Sequence, residues 1–254
     1  MKEFKFFNKT QKLIEDSELS EIIHNFNTYK NGVGTRNVIK IIPINNVELN
    51  IKAFKTPNIV NQIVYKYFRK SKARRSFEYA NRLLNSGINT PLPIAFFEYT
   101  NFLFFKKSFY VSEQFKYDFT IRELTRNNDY PDFENIIRQF TRFTFQLHEN
   151  QINFLDHSPG NTLIKKIDED TYDFYLVDLN RMKFMPMIFD DRMKNFAKLS
   201  PRDKILEVIS NEYAKLYPNK NEKEIRERMH DFSIEFSSKY TNRENFKKKY
   251  FFWR

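Results

Sequence analysis

Asp156, His157, Ser158, Pro159, Gly160 and Asn161 lead into the apolar run Thr162 to Ile164, and a polar turn later the chain reads Tyr175-Leu176-Val177-Asp178. These residue types at this spacing suit phosphoryl transfer. Thr162–Lys166 and Asp173–Val177 are both strand-like and are separated by Ile167–Tyr172, which carries Asp168, Glu169 and Asp170, so the segment predicts a β-hairpin. A plain register that pairs Lys166 with Asp173 brings Asn161 beside Asp178. An Asn carbonyl and an Asp carboxylate would then supply the one or two protein oxygens that Mg2+ takes alongside phosphate oxygens and water. Asp156, on the loop feeding the first strand, is placed to accept the proton of an attacking hydroxyl, while Pro159 and Gly160 shape the turn. An ordinary hairpin with polar ends is the plain alternative.

Such a centre needs elements around it to hold a nucleotide. Only four glycines occur in 254 residues. Gly32 and Gly34 flank Val33 just before a predicted strand, where bare backbone amides could approach phosphates or simply form a turn. No Walker motif is present. The strand Leu49–Lys55 offers two phosphate-binding lysines on opposite faces, Lys52 inside it and Lys55 at its end; Lys52 is the favoured candidate. Glu78 is the only carboxylate between Lys55 and Gly87 and is therefore the partner expected for that lysine, although Arg74 and Arg82 at helical spacing compete for it. Glu113, within Tyr110–Phe115, falls where a connector would pass the adenine. The four histidines (His24, His148, His157 and His230) have no metal-ligand spacing, and Ser158 lacks a nucleophile-elbow context.

The wider pattern predicts strands over Val38–Ile42 and Val47–Phe54 joined by the turn Pro43–Asn46. Helical spacing runs through 61–86 and stops at Gly87, and further strands follow at Ile94–Glu98, Phe102–Phe105 and Phe109–Phe115. Helices dominate afterwards, beginning with Phe133–Glu149. A sheet-rich amino half (about 1–113) and a helical carboxyl half (about 114–254) are expected as two lobes of a single domain, with the site in the cleft they share.

The chain has no cysteine, which excludes disulfides, thiolate metal sites and a cysteine nucleophile. It shows neither a signal-peptide core nor an apolar stretch of membrane-spanning length, and a cytoplasmic protein is expected. The formal net charge of +11 partly reflects a Lys/Asn/Ile/Phe/Tyr-rich composition, the bias an AT-rich coding sequence produces. Two local clusters stand out, 66–75 and the tail 246–254. Their interleaved basic and aromatic residues suit an anionic membrane surface, as they would suit RNA or a plain solvated face.

Arg69–Glu78, Thr90-Pro91-Leu92-Pro93, Phe154–Asn161 and Val177–Met182 resemble the bacterial lipopolysaccharide kinase family, the Kdo and heptose kinases of the lipid A core, over about Asn31 to Tyr213. The resemblance implies an α+β protein-kinase-like fold. It further implies ATP and Mg2+ as cofactors and transfer of the γ-phosphoryl group to a sugar hydroxyl of a glycolipid at the inner membrane face. Carried over by position, Asp156 is the base, Asn161 and Asp178 the metal ligands, Lys52 the phosphate lysine and Glu78 its partner. Phe154-Leu155-Asp156 stands where protein kinases carry His-Arg-Asp, Leu179-Asn180 replaces Phe-Gly, and Ser158 sits where serine/threonine kinases keep a lysine. These departures favour a small-molecule or glycolipid acceptor over a protein acceptor. Arg181 is expected to bind an anionic group of the acceptor or to anchor its loop. A glycolipid or sugar acceptor and peripheral contact with an anionic membrane are the expected partners, and nucleic acid is not. Phosphorylation of a protein or small metabolite, or a regulatory pseudokinase, are the alternatives.

Overall fold

The computed structural model describes residues 2–7, 14–30, 32–34, 37–44, 46–199 and 203–250. The chain divides into two compact units, 1–116 with Asp178–Asn180, and 117–177 with 181–254.

The first unit contains β1 (Lys2–Phe7), α1 (Asp16–His24), β2 (Gly32–Val33), β3 (Asn37–Ile44), β4 (Val47–Phe54), α2 (Ile59–Tyr67), α3 (Lys72–Asn85), β5 (Pro93–Thr100) and β6 (Phe105–Glu113). Its strands form one six-stranded sheet in the order β1-β5-β6-β4-β3-β2, antiparallel throughout. Side-chain alternation along the strands sends two sets of apolar residues to two cores. Leu19, Ile22, Ile23 and Phe26 pack with Leu49, Ile51, Phe97 and Val111 in one core, while Phe54, Phe96, Ala73 and Phe77 form the other. β5 therefore reads Pro93-Ile94-Ala95-Phe96-Phe97 as a continuous buried run, the signature of a strand covered on both faces.

The helical stretch expected over 61–86 is two helices. Ser71 interrupts it: its hydroxyl accepts from the Arg74 amide and starts α3 afresh, because an N-cap oxygen satisfies one of the orphan donors of a new first turn. The far end stops as expected at Gly87, whose φ of +71° suits glycine. Of the strand expected at Phe102–Phe105, the first three residues are instead the turn between β5 and β6, and Phe105 opens β6. The Asn101 side chain accepts from the amides of Leu103 and Phe104, the local closure Asn provides in turns.

The second unit contains β7 (Phe119–Thr120), α4 (Ile121–Arg126), α5 (Phe133–Glu149), β8 (Ile152–Phe154), β9 (Thr162–Lys166), β10 (Tyr172–Leu176), β11 (Met182–Phe184), α6 (Phe189–Asn195), α7 (Asp203–Leu216) and α8 (Glu222–Tyr250). Ile136, Ile137 and Phe140 of α5 are buried with Ile164, Phe174, Met193, Phe196, Ile209 and Tyr213, which fixes the β9–β10 hairpin on the helical core. The hairpin forms, but its register pairs Lys166 with Tyr172 and Thr162 with Leu176, one residue away from the register read from the sequence. The Asn161 carbonyl accordingly accepts from the Val177 amide at 3.0 Å. The residue opposite Asn161 is Val177, and Asp178 follows it with a positive φ of 58°. Burial decides the register: Tyr172, Phe174 and Leu176 face inward, and a one-residue slip would turn all three to solvent. No helix among the described residues is long and apolar enough to cross a membrane. Residues 251–254 of the basic aromatic tail, and Asn31, Thr35 and Arg36 around the two glycines, lie outside the described residues.

Candidate active site

In the first unit, inward-facing Leu49 and Ile51 leave Lys52 on the opposite face of β4, half-buried. Its Nζ lies 2.8 Å from Asp178 Oδ1. Lys55 is exposed and follows the end of the strand. The positive φ of Asp178 brings in Asn180, whose Nδ2 donates to the same Oδ1 at 2.6 Å. Asn180 is held in turn by Arg75 of α3, whose Nη1 donates to its carbonyl at 2.8 Å. Asn180 and Arg75 are both buried. Their contribution escapes a reading of the sequence, since Arg75 lies 105 residues from Asn180 in a run of basic residues with no distinguishing neighbour.

Glu78 sits on α3 as expected, and of the partners read for it Arg74 is present, joined by Lys70. It accepts from Lys70 at 2.8 Å and from Arg74 Nε at 2.9 Å. Burial works to raise its pKa, but the bonds and charges of Lys70 and Arg74 outweigh it and hold the carboxyl below the usual range. The structure therefore pairs Lys52 with Asp178 and Glu78 with two cations close to it in sequence. Gly32 lies within β2, opposite Lys40. Gly34 has a φ of +107°, and a Cβ there would stand 2.3 Å from the Asn37 carbonyl oxygen, so the turn out of β2 demands glycine. Glu113 ends β6 with its amide donated to Leu92, and the next amide, Gln114, is donated to Glu48. Both N–H groups are thus engaged, and a base at this connector would be met by other atoms than these.

In the second unit, 155–161 forms a tightly bonded loop between β8 and β9. His157 N donates to Phe154 O at 3.1 Å, Ser158 N to Asp156 O at 2.7 Å, and Asn161 N to Ser158 O at 2.9 Å. Asn161 Nδ2 also donates to the Asp156 carbonyl at 2.8 Å, which orients the amide and leaves its Oδ1 as an acceptor. A Cβ on Gly160 would lie 2.3 Å from the Arg122 guanidinium, so α4 closes over the loop at the one position without a side chain.

The Asp156 carboxylate is partly exposed and faces two cations. Lys198 Nζ is 2.8 Å from Oδ1 and also donates to the Leu155 carbonyl at 2.7 Å. Arg181 Nη1 is 3.8 Å from Oδ2. Lys198 stands just beyond α6, 42 residues after Asp156, and no motif in the sequence marks it. It brings a cation to Asp156 in a chain that has Ser158 two positions downstream. A cavity of about 260 Å³ opens beside this pair, lined by Leu155, Lys183, Lys194, Lys198, Phe232 and Phe236 among others.

His157 and His148 are scaffold residues. His157 Nδ1 lies 3.0 Å and His148 Nε2 3.3 Å from Asn195 Oδ1, while Asn195 Nδ2 donates to Phe154 O at 2.9 Å. With its amide oriented by that carbonyl, the Asn195 oxygen accepts from both rings, so His157 carries its proton on Nδ1 and His148 on Nε2. Burial lowers His148 to about 3 and His157 to about 4. Among the described residues, no group of three or more His, Cys, Asp or Glu side chains could hold a metal on its own.

The antiparallel sheet unit and the helical unit carrying this loop define a protein-kinase-like fold. Consistent with that class, the chain is similar to a solved structure of WaaP in complex with acyl carrier protein, with a TM-score of 0.65 at 13% identity over 93% of this chain and 97% of that one. The model of the lipopolysaccharide kinase (Kdo/WaaP) family matches residues 52–217, and the chain belongs to that family. No curated protein sequence matches it.

Proposed function

We propose that the chain transfers the γ-phosphoryl group of ATP to a sugar hydroxyl of a lipopolysaccharide core glycolipid. Membership of a kinase family makes it a phosphotransferase, and the observation that carries the finer reading is the 2.8 Å pair of Lys52 with Asp178. In this reading Lys52 holds nucleotide phosphates while Asp178 and Asn161 supply carboxylate and amide oxygens to Mg2+, a donor set that fits the ion's preference for few protein oxygens. The ion, when bound, neutralises charge developing on the phosphoryl oxygens. Asp156 accepts the proton of the attacking hydroxyl as the new O–P bond forms and the bond to the ADP leaving group breaks. Lys198 fixes the carboxylate for that task, Arg181 faces the same carboxylate, and the cavity beside Lys198 is where the acceptor sugar is read. Gly32 in β2 and Gly34 in the turn that follows it lie on the phosphate side, and the segment ending at Glu113 meets the adenine. Glu78 orients the amino end of α3 through Lys70 and Arg74.

The test is incubation of the purified chain with labelled ATP, Mg2+ and, separately, core glycolipid, soluble sugars and cell protein. Label in the glycolipid alone supports the reading. Label in protein or free sugar moves the acceptor, and the absence of both label and Mg-ATP binding identifies a pseudokinase.

A further inference from the structure

α2 presents its apolar face to solvent. In an amphipathic helix of a folded protein the apolar stripe turns inward, yet no residue of α2 is buried. Ile59, Ile63 and Tyr67 lie along one side with Val60 and Phe68 beside them, and exposure reaches 66% at Ile59, 70% at Val60 and 81% at Phe68. The side turned toward the sheet carries polar and aromatic groups instead. Lys66 Nζ donates to Thr100 Oγ1 at 3.1 Å, Lys106 Nζ to Gln62 Oε1 at 3.4 Å, and the Tyr65 ring meets Phe105 at 5.7 Å.

The β5–β6 turn extends the same surface. Phe102 is 91% exposed and Leu103 52%, and the Tyr67 hydroxyl reaches the Phe102 carbonyl at 3.5 Å. Large side chains gathered in this way are an apolar patch that requires a partner. The segments that form it carry one sign of charge: 59–72 and 100–107 contain Lys66, Arg69, Lys70, Lys72, Lys106 and Lys107 and no carboxylate, although Lys70 is paired with Glu78 of α3.

We infer that α2 and the β5–β6 turn dock the chain on an anionic bilayer, Phe68 and Phe102 entering the interface and the cations meeting lipid headgroups. Rings at headgroup depth, an aliphatic stripe below them and a cationic rim are what an interfacial helix needs. A second copy of the chain would set this cationic rim against itself. An RNA would gain little from the aliphatic stripe of Ile59, Val60 and Ile63, which offers no stacking platform. The inference deepens the glycolipid reading by giving the surface that delivers the enzyme to a membrane, but it depends only on the first unit. Vesicle binding without any phosphorylation would remove the kinase reading and leave this one standing.

The experiment is co-sedimentation of the full chain with phosphatidylcholine vesicles, with and without phosphatidylglycerol, for the natural sequence and for a Phe68→Ser/Phe102→Ser double variant. Both side chains are exposed, so an unchanged thermal melt of the variant is expected and verifies folding. The natural chain should bind the anionic vesicles, release with added salt, and lose roughly tenfold or more in affinity in the variant. Failure to bind anionic vesicles overturns the inference, as does binding that survives the double substitution. A concentration-dependent dimer that the variant abolishes also overturns it, in favour of self-association.

Discussion

Lys198 bonds the carboxylate of Asp156 and the carbonyl of Leu155 at once, so one ammonium group fixes both the side chain and the backbone at the proposed base. The sequence places nothing basic two residues after Asp156, and the fold brings the charge from the end of α6 instead. Lys198→Met is expected to lower kcat about 10²-fold with little change in the KM for ATP, because a base displaced by about an ångström misaligns the attack. Lys198→Arg should recover part of the loss. Asp156→Ala should remove phosphoryl transfer, by roughly 10² to 10⁴-fold, while ATP binding persists. Steady-state kinetics on the four proteins separate positioning from folding.

Glu78 is satisfied by Lys70 and Arg74, and Lys52 by Asp178. A double-mutant cycle of Lys52→Met and Glu78→Gln, read as stability of the nucleotide-free chain, should therefore show coupling near zero. The cycle of Arg74→Ala and Glu78→Gln should give about 0.3 to 0.5 kcal/mol, the range of an exposed helical ion pair. Strong coupling of Lys52 to Glu78 once Mg-ATP is added would show that the nucleotide re-pairs them.

Asp178→Ala should abolish the rise in melting temperature that Mg-ATP confers, since a ligand that binds only the folded state stabilises it by an amount that grows with the logarithm of its concentration over Kd. The variant also frees the Asn180 amide and Lys52, so its own melting temperature should fall. Differential scanning fluorimetry with Mg2+ alone, ATP alone and both together reads the two effects separately.

His148 and His157 are buried neutral, at about 3 and about 4. Because both values lie below that of an unfolded histidine, the unfolded chain binds more protons as pH falls. Stability from these rings is fully present above about pH 6.5 and is lost through pH 4 and then pH 3. Each tenfold loss of proton affinity on folding corresponds to about 1.4 kcal/mol, so either ring accounts for a few kcal/mol. Urea denaturation between pH 7 and pH 5 should show the decline, and His157→Asn should flatten part of it.

The long elements are legible in the sequence because burial and periodicity agree in them. Val47–Phe54 and Phe133–Glu149 match β4 and α5 end to end, and the order of the site residues along the chain is readable from the loop 156–161. Where sequence and structure part, the causes are local. Tyr172 reads as part of the polar turn, although its ring is buried, and that shifts the hairpin register by one. Phe102 reads as a strand residue because aromatic residues favour strands, whereas the Asn101 side chain, accepting from two amides, closes a turn there. Lys198 carries no mark in the sequence, and the pairing of Arg75 with Asn180 carries none either, since each acts through contacts that only the folded chain creates. β1 is silent for a related reason: Lys2–Phe7 is a short run that becomes a strand by pairing with β5.

That pairing matters for handling the protein. β5 is buried over its first five residues and rich in phenylalanine, and β1 occupies the backbone donors and acceptors along its outer edge. Removing 1–7 would present a long, apolar, unpaired strand, the template on which chains add to one another. Forms lacking 1–7 are therefore expected to precipitate or oligomerise during expression even where the loop 155–161 is intact.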